Sequence, residues 1–328
     1  MRGHAVLLPV LLLAGLASLA AGAFTPRQVR QAEDAWLEAS GWVLAQRRAS
    51  GSWSEALDPA LSGLIGSEDG LLTTSLGQLD AKLAAAQSGW CRVVACLLDS
   101  LGIGPADTVA VAMTGSFPGL NLAVLLTLEA GGIPYRCVSS LGASTFGANE
   151  PGFNWPLVED WLRERSLLRM GSMVVTPGGS GDRLNGLTLE AVRAAGAALR
   201  PHGESLHPTN LHQAVELRRE VFGPRSHLAL LINIGGNHAV LGGNDFGRQV
   251  PGGLLGAEYA PHVQQGEGEA GTVGVMQLYW QEGLPVLHLS DIVRLAKRWG
   301  LPVPPREART PAAVAKDCRP AARPARRP

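Results

Sequence analysis

Cysteine is scarce in this chain of 328 residues, which holds only Cys91, Cys96, Cys137 and Cys318. Four cysteines so spaced build neither a disulfide framework nor a zinc site, which draws its ligands from close pairs. Cys91 and Cys96 lie five apart in an expected helix and do not share a face well. Buried or free thiols are the plain expectation. Outside the cytoplasm a Cys91–Cys137 or Cys96–Cys137 bridge stays open. Aromatic residues are also few, and the formal net charge is zero, so no basic face with interleaved rings offers itself to nucleic acid. HExxH, CxxC, Walker and GxGxxG patterns are missing, so no metal, nucleotide or other cofactor is expected. The acidic pair Glu68-Asp69 supplies too few oxygens to hold a cation unaided.

The zero net charge hides an asymmetry. From Arg306 on, seven basic residues stand against two acidic ones, leaving a tail of about +5 on a body of about −5. Residues 303–328 are rich in Pro, Arg and Ala without apolar period, the composition of a disordered tail. At the other end, MRGHAVLLPVLLLAGLASLAAGA (1–23) has a charged start, an apolar middle and a small-residue end. That is the pattern of a secretory signal peptide, and the run is also long enough for a membrane anchor. Either one puts the body outside the cytoplasm, anchored in the cell envelope or secreted.

Glycine, in contrast, is abundant, with 41 residues in a chain 46% apolar, which suits a globular protein with many tight loops. The clearest stretch is Asp107–Gly132. It reads as an apolar strand (Thr108–Met113), a polar turn (Thr114–Gly119) and an apolar helix stopped at Gly131-Gly132. Pro118 suits the first helical turn, where its missing N–H costs nothing. Further strands are expected at Tyr135–Ser139, Ser172–Thr176, His227–Asn233 and Pro285–Leu289, with helices between them. Ahead of this 107–302 core, residues 24–106 read as a helical region packed on it. Within that region Val29, Trp36 and Val43 recur every seven residues, with Ala32 and Ala39 between. The alternation predicts an α/β fold with a mainly parallel, doubly wound, Rossmann-like sheet of about five strands.

Polar loops at 114–119, 140–149, 177–186 and 233–244 follow the strand C-termini, the edge where open parallel sheets bind ligands. Ser116 is the candidate nucleophile there, although Gly115-Ser116-Phe117-Pro118-Gly119 misses the G-x-S-x-G elbow. His238 and Asp182 on neighbouring loops complete a candidate triad. The competing reading has Ser116 and the N–H groups between Gly115 and Gly119 holding a carboxylate or phosphate at a helix N-terminus. Asn121 would close that loop, and Ser140, Ser144 and Asn149 would line the same mouth. Asn233 ends a strand, and Gly235-Gly236 permits close backbone approach. For all of these, turn and cap duty is the bland alternative.

Several stretches together resemble the bacterial poly-γ-glutamate system protein family. They are TTSLGQLDAK (Thr73–Lys82), VAVAMTGSFPGLNLAV (Val109–Val124), SSLGASTFGAN (Ser139–Asn149), LLINIGG (Leu230–Gly236) and GLPVLHLSDIVRLAKRWGLP (Gly283–Pro302). The SFPG-x-N and SLGAS-x-x-GAN portions are the most specific, and the likeness spans about residues 30 to 302. LAAAQS after Lys82 departs from a more polar Thr/Asn-rich stretch in the family, and the basic tail is no part of its pattern. The resemblance implies a membrane-linked accessory protein that holds poly-γ-glutamate or its synthesis and export machinery. It brings no catalytic residues. The alternative is a serine-dependent hydrolase or transpeptidase acting on that polymer. An acidic body repels a long polyanion, but a single polymer end captured at the Ser116 loop escapes that repulsion.

Overall fold

The computed structural model describes residues 24–184, 187–199, 207–255, 267–305 and 307–308. The expected signal or anchor segment 1–23 and most of the tail expected over 303–328 lie outside the described residues, within which no helix is long and apolar enough to cross a membrane. Helix α1 (Pro26–Ser50) starts with a reciprocal cap between Thr25 and Gln28 and ends at Gly51 in the left-handed region. Its buried face is Ala32, Trp36, Ala39 and Val43, the stripe that the sequence period marks. Next come β1 (Thr73–Ser75), α2 (Leu79–Ala85) and α3 (Gly89–Leu101), followed by β2 (Val109–Thr114), α4 (Pro118–Gly131) and β3 (Tyr135–Ser140). Short strands β4 (Ala143–Ser144), β5 (Asn149–Glu150) and β6 (Phe153–Asn154) precede α5 (Trp155–Glu164) and β7 (Ser172–Thr176). Beyond them lie α6 (Leu189–Leu199), α7 (Leu211–Phe222) and β8 (Leu230–Ile234), then the single turns α8 (His238–Leu241) and α9 (Phe246–Gln249). The last elements are β9 (Gly253–Leu255), α10 (Val275–Gln281), β10 (Val286–Leu289) and α11 (Ile292–Arg298).

The central sheet has six strands in the order β7-β3-β2-β8-β10-β9. Five run parallel, and only the edge strand β9 is antiparallel. The expected α/β architecture with a mainly parallel sheet is therefore present. The sixth strand, β9, carries just three residues in a glycine-rich segment, too few to show an alternating pattern. Sequence order reverses between β2 and β8: β3 and β7 extend the sheet on one side of β2, β8 and β10 on the other.

Strand β2 divides its side chains between two cores, as a period of two requires. Val109, Val111 and Met113 face the core that contains α1, α3 and α4, and Ala110 and Ala112 face the one containing α7 and α10. Helix α4 lies in a middle layer, against α1 and α3, and is apolar all round for that reason. Trp36 of α1 donates its indole N–H to the Gly119 carbonyl at 2.8 Å, pinning the start of α4. At Gly119 a Cβ would stand 2.5 Å from the Ala85 carbonyl oxygen, so the α2–α4 approach requires glycine. Val303 and Ala308 still pack against this core, and Ser88 N–H donates to the Ala308 carbonyl at 3.0 Å.

Cys91 and Cys137 are buried free thiols, which rules out both of the bridges left open above. Burial is the main cause raising both thiol pKa values, so neither presents a thiolate at neutral pH.

Two glycine substitutions test the packing. Gly119→Ala should destabilise the protein by about 1–3 kcal/mol, because its methyl meets backbone rather than a yielding side chain. Gly41→Ala, in α1 with nothing within 4 Å of the new methyl, should stabilise by about 0.5–1 kcal/mol. Urea unfolding midpoints read both.

Candidate functional site

The C-terminal ends of β2, β3, β7 and β8 meet around a cavity of about 300 Å³. Each strand contributes its last polar residue or the turn after it. Thr114 and Ser116 come from the β2–α4 turn, Ser140 from β3, Asp182 from the loop after β7, and Asn237 and His238 from the turn after β8. Its position, beside the reversal of strand order, is where parallel sheets open a crevice. Four of the sequence-derived candidates converge here (Ser116, Ser140, Asp182, His238), with Gly236 at the border.

The hydrogen bonds do not make a triad of Ser116, His238 and Asp182. Asp182 is spent on structure: Oδ2 accepts from Arg218 Nη1 at 2.7 Å, while Oδ1 accepts from Thr176 Oγ1 at 2.8 Å and Gly178 N–H at 2.9 Å. His238 Nδ1 accepts from Gly181 N–H at 2.8 Å, so that nitrogen neither donates to a carboxylate nor takes the Ser116 proton. Ser116 Oγ accepts from Ser144 N–H at 3.0 Å. The three line one cavity without the relay that the triad needs.

Five other candidates do not line this cavity and make contacts within the fold. Gly115 packs its backbone between Ala143 and the Ala148 carbonyl, and Gly119 abuts α2. Asn121 does close the loop, donating from Nδ2 to the Thr114 carbonyl at 2.8 Å. Asn149 donates to the Ser67 carbonyl and Thr73 Oγ1, both at 2.8 Å, tying the 140s loop to the segment before β1. Asn233 donates to the Gly235 carbonyl and to His288 Nδ1, both at 3.0 Å. Gly235 borders a second cavity of about 490 Å³, which adjoins the first at Gly236, Leu241 and Gly247 and is lined also by Phe117, His288 and Arg294. Burial pushes the His288 pKa down to about 4.

Two residues were not foreseen as site residues. Arg218 of α7 lies buried under the first cavity, paired with Asp182 and donating from Nη2 to Thr176 Oγ1 at 3.1 Å and Ser140 Oγ at 3.4 Å. Its helical spacing from Leu211, Ala214, Val215 and Phe222, which puts it on the buried stripe of α7, is the signal that would have found it. Lys82 of α2 is 3% exposed. Its ammonium donates to the Ser116 carbonyl and, at 2.5 Å, to Ser144 Oγ, and it stands 4.0 Å from the Phe117 ring centre. Among the described residues it has no carboxylate partner, and desolvation alone lowers its pKa to about 7. A lysine inside the apolar run after Asp80 is the signal that would have found it. Among the described residues, no three His, Cys, Asp or Glu side chains converge as metal ligands would.

The chain matches no protein-family model, no curated protein and no solved structure with which it was compared.

Two outcomes test these buried charges. Arg218→Met strands the Asp182 carboxylate in the interior and should cost about 3–5 kcal/mol in chemical denaturation. Lys82 keeps its proton to about 10.5 when unfolded and gives it up near 7 when folded. Between those values the unfolded chain binds more protons, so stability should rise with pH; below about 7 this contribution is flat. Lys82→Met should remove that rise, read from melting temperatures taken at intervals across the window.

Proposed function

We propose that this protein is an extracytoplasmic accessory component of poly-γ-glutamate synthesis or export, and that the first cavity holds an end of that polymer. The observation that carries the reading is the cavity's character. Hydroxyl and amide groups are set among glycine backbone in its lining, and the one carboxylate among its described lining residues, Asp182, is neutralised within the structure by Arg218. The hydroxyls of Thr114 and Ser116 each accept one backbone N–H and keep a hydrogen for a ligand, and those of Ser75 and Ser180 also line the cavity. Such groups bond amides and carboxylates without requiring a cation. A body carrying about −5 charges disfavours a long polyanion along its surface, and a captured terminus avoids that. The family resemblance supplies the polymer's identity and the link to a membrane through residues 1–23. A partner in the synthesis or export machinery follows from the same resemblance; nucleic acid is not among the partners. The strand order supports the finer reading of the fold as a doubly wound, Rossmann-like sheet, since the five parallel strands run 3-2-1-4-5 in chain order.

Isothermal titration with short γ-glutamyl oligomers tests the proposal. Binding should saturate at one oligomer per chain, and Ser180→Ala, which removes a lining hydroxyl, should weaken it about tenfold, the worth of one lost hydrogen bond. Absence of binding at millimolar oligomer, or binding that ignores Ser180, would remove the polymer-end reading.

A further inference from the structure

We propose that Ser144 and Lys82 form a nucleophile–base pair for acyl transfer, set beside the first cavity and independent of His238 and Asp182. Lys82 Nζ lies 2.5 Å from Ser144 Oγ, the arrangement in which an amine takes a serine proton. The geometry is held from three sides. The Ser116 carbonyl accepts a second hydrogen from the same nitrogen, and the Phe117 ring covers it. Ser144 is fixed by its own N–H, bonded to Ser116 Oγ at 3.0 Å, and by the pairing of β4 with β1, where Ser144 stands opposite Ser75. Ser75 and Ser116, its immediate neighbours, both line the cavity.

A serine needs a base that is unprotonated at working pH, and Lys82 meets that need. No charged side chain among the described residues adds to its field, and burial alone brings it near neutrality. This is the recognised alternative to histidine in serine hydrolases, where a desolvated lysine replaces the imidazole.

The chemistry then balances within the pair. Ser144 Oγ bonds to the carbonyl carbon of an amide or ester while its proton passes to Lys82 Nζ. The tetrahedral intermediate collapses, the C–N or C–O bond breaks, and the leaving amine or alcohol takes that proton from Lys82. Water then attacks the Ser144 ester, giving one proton to Lys82, which returns it to Ser144 Oγ as the acid departs. Ser116 accepts the Ser144 N–H and keeps its own hydroxyl hydrogen to donate to the ligand's oxygen.

This adds a reaction to the binding role without resting on it, since the test uses no polymer. The full chain is incubated with a fluorophosphonate probe at a series of pH values, and the modified residue is located by mass spectrometry. A single adduct on Ser144 is expected, forming faster as pH rises through about 7. Ser144→Ala should abolish it, and Lys82→Arg, which cannot lose its proton, should slow it about 10²- to 10⁴-fold. Where arginine unfolds the protein, Lys82→Met gives the same readout without the charge. An adduct on Ser116 instead, a rate indifferent to pH, or no adduct on natively folded protein would each overturn the pair. Loss of γ-glutamyl oligomer binding with labelling intact would overturn only the binding role.

Discussion

The mouth of the sheet is held by one ion pair kept away from water. Asp182 and Arg218 are both essentially unexposed and 2.7 Å apart. Removing two charges from water costs several kcal/mol each, and the attraction between them compensates only when their remaining hydrogen-bonding capacity is filled. Thr176, Gly178, Ser140 and the Ala214 carbonyl fill most of it. The constraint reaches far: it joins α7 on one face of the sheet to the loop after β7 and to the last residue of β3. Asp182 itself sits at φ +63, a conformation that side chains other than glycine's rarely accept, and Gly178 and Gly179 before it are also left-handed. The pair holds that tight reversal in place and leaves the cavity above it without net charge.

Three buried cations show three solutions to one electrostatic problem. Arg218 is matched by a carboxylate. Arg47 donates to the carbonyls of Gly63, Ile65 and Ser52, with Glu150 3.4 Å away. Lys82 has only a carbonyl, a hydroxyl and an aromatic face, and no anion among the described residues. A guanidinium stays charged wherever it is placed, whereas a lysine can shed its proton when the surroundings make charge too costly. The residue types follow the environments. Where the fold supplies acceptors in number it uses arginine, and where it supplies few it uses the cation able to become neutral.

Much of the core was legible because apolar runs are short and sharply bounded. Ser172–Thr176 falls where the sequence puts it, and α4 stops at the double glycine, with Gly132 in the left-handed region. The capping asparagine Asn210 likewise marks the start of α7. What escaped depends on partners distant in the chain. β4 and β1 are two- and three-residue strands whose pairing joins segments about seventy positions apart, and no local pattern announces it. The convergence of Ser116, Ser140, Asp182 and His238 was readable from topology alone, since all follow parallel strands. Their bonding was not. Whether a loop aspartate faces a histidine or an arginine is decided by α7, thirty-six residues further on. Lys82 and Ser144 are sixty-two apart and meet only once β1 and β4 have paired.

Helix α4 is greasy on every side because a sheet and two helices enclose it, and a translocation channel testing each segment against lipid would meet a strongly apolar stretch there. Its fourteen residues rise only about 21 Å, however, against a hydrocarbon core of about 30 Å. Gly131-Gly132 at one end and the Pro118 turn at the other prevent the helix from lengthening. The dimension that lets α4 fill a middle layer therefore also leaves it too short to be retained as a membrane span.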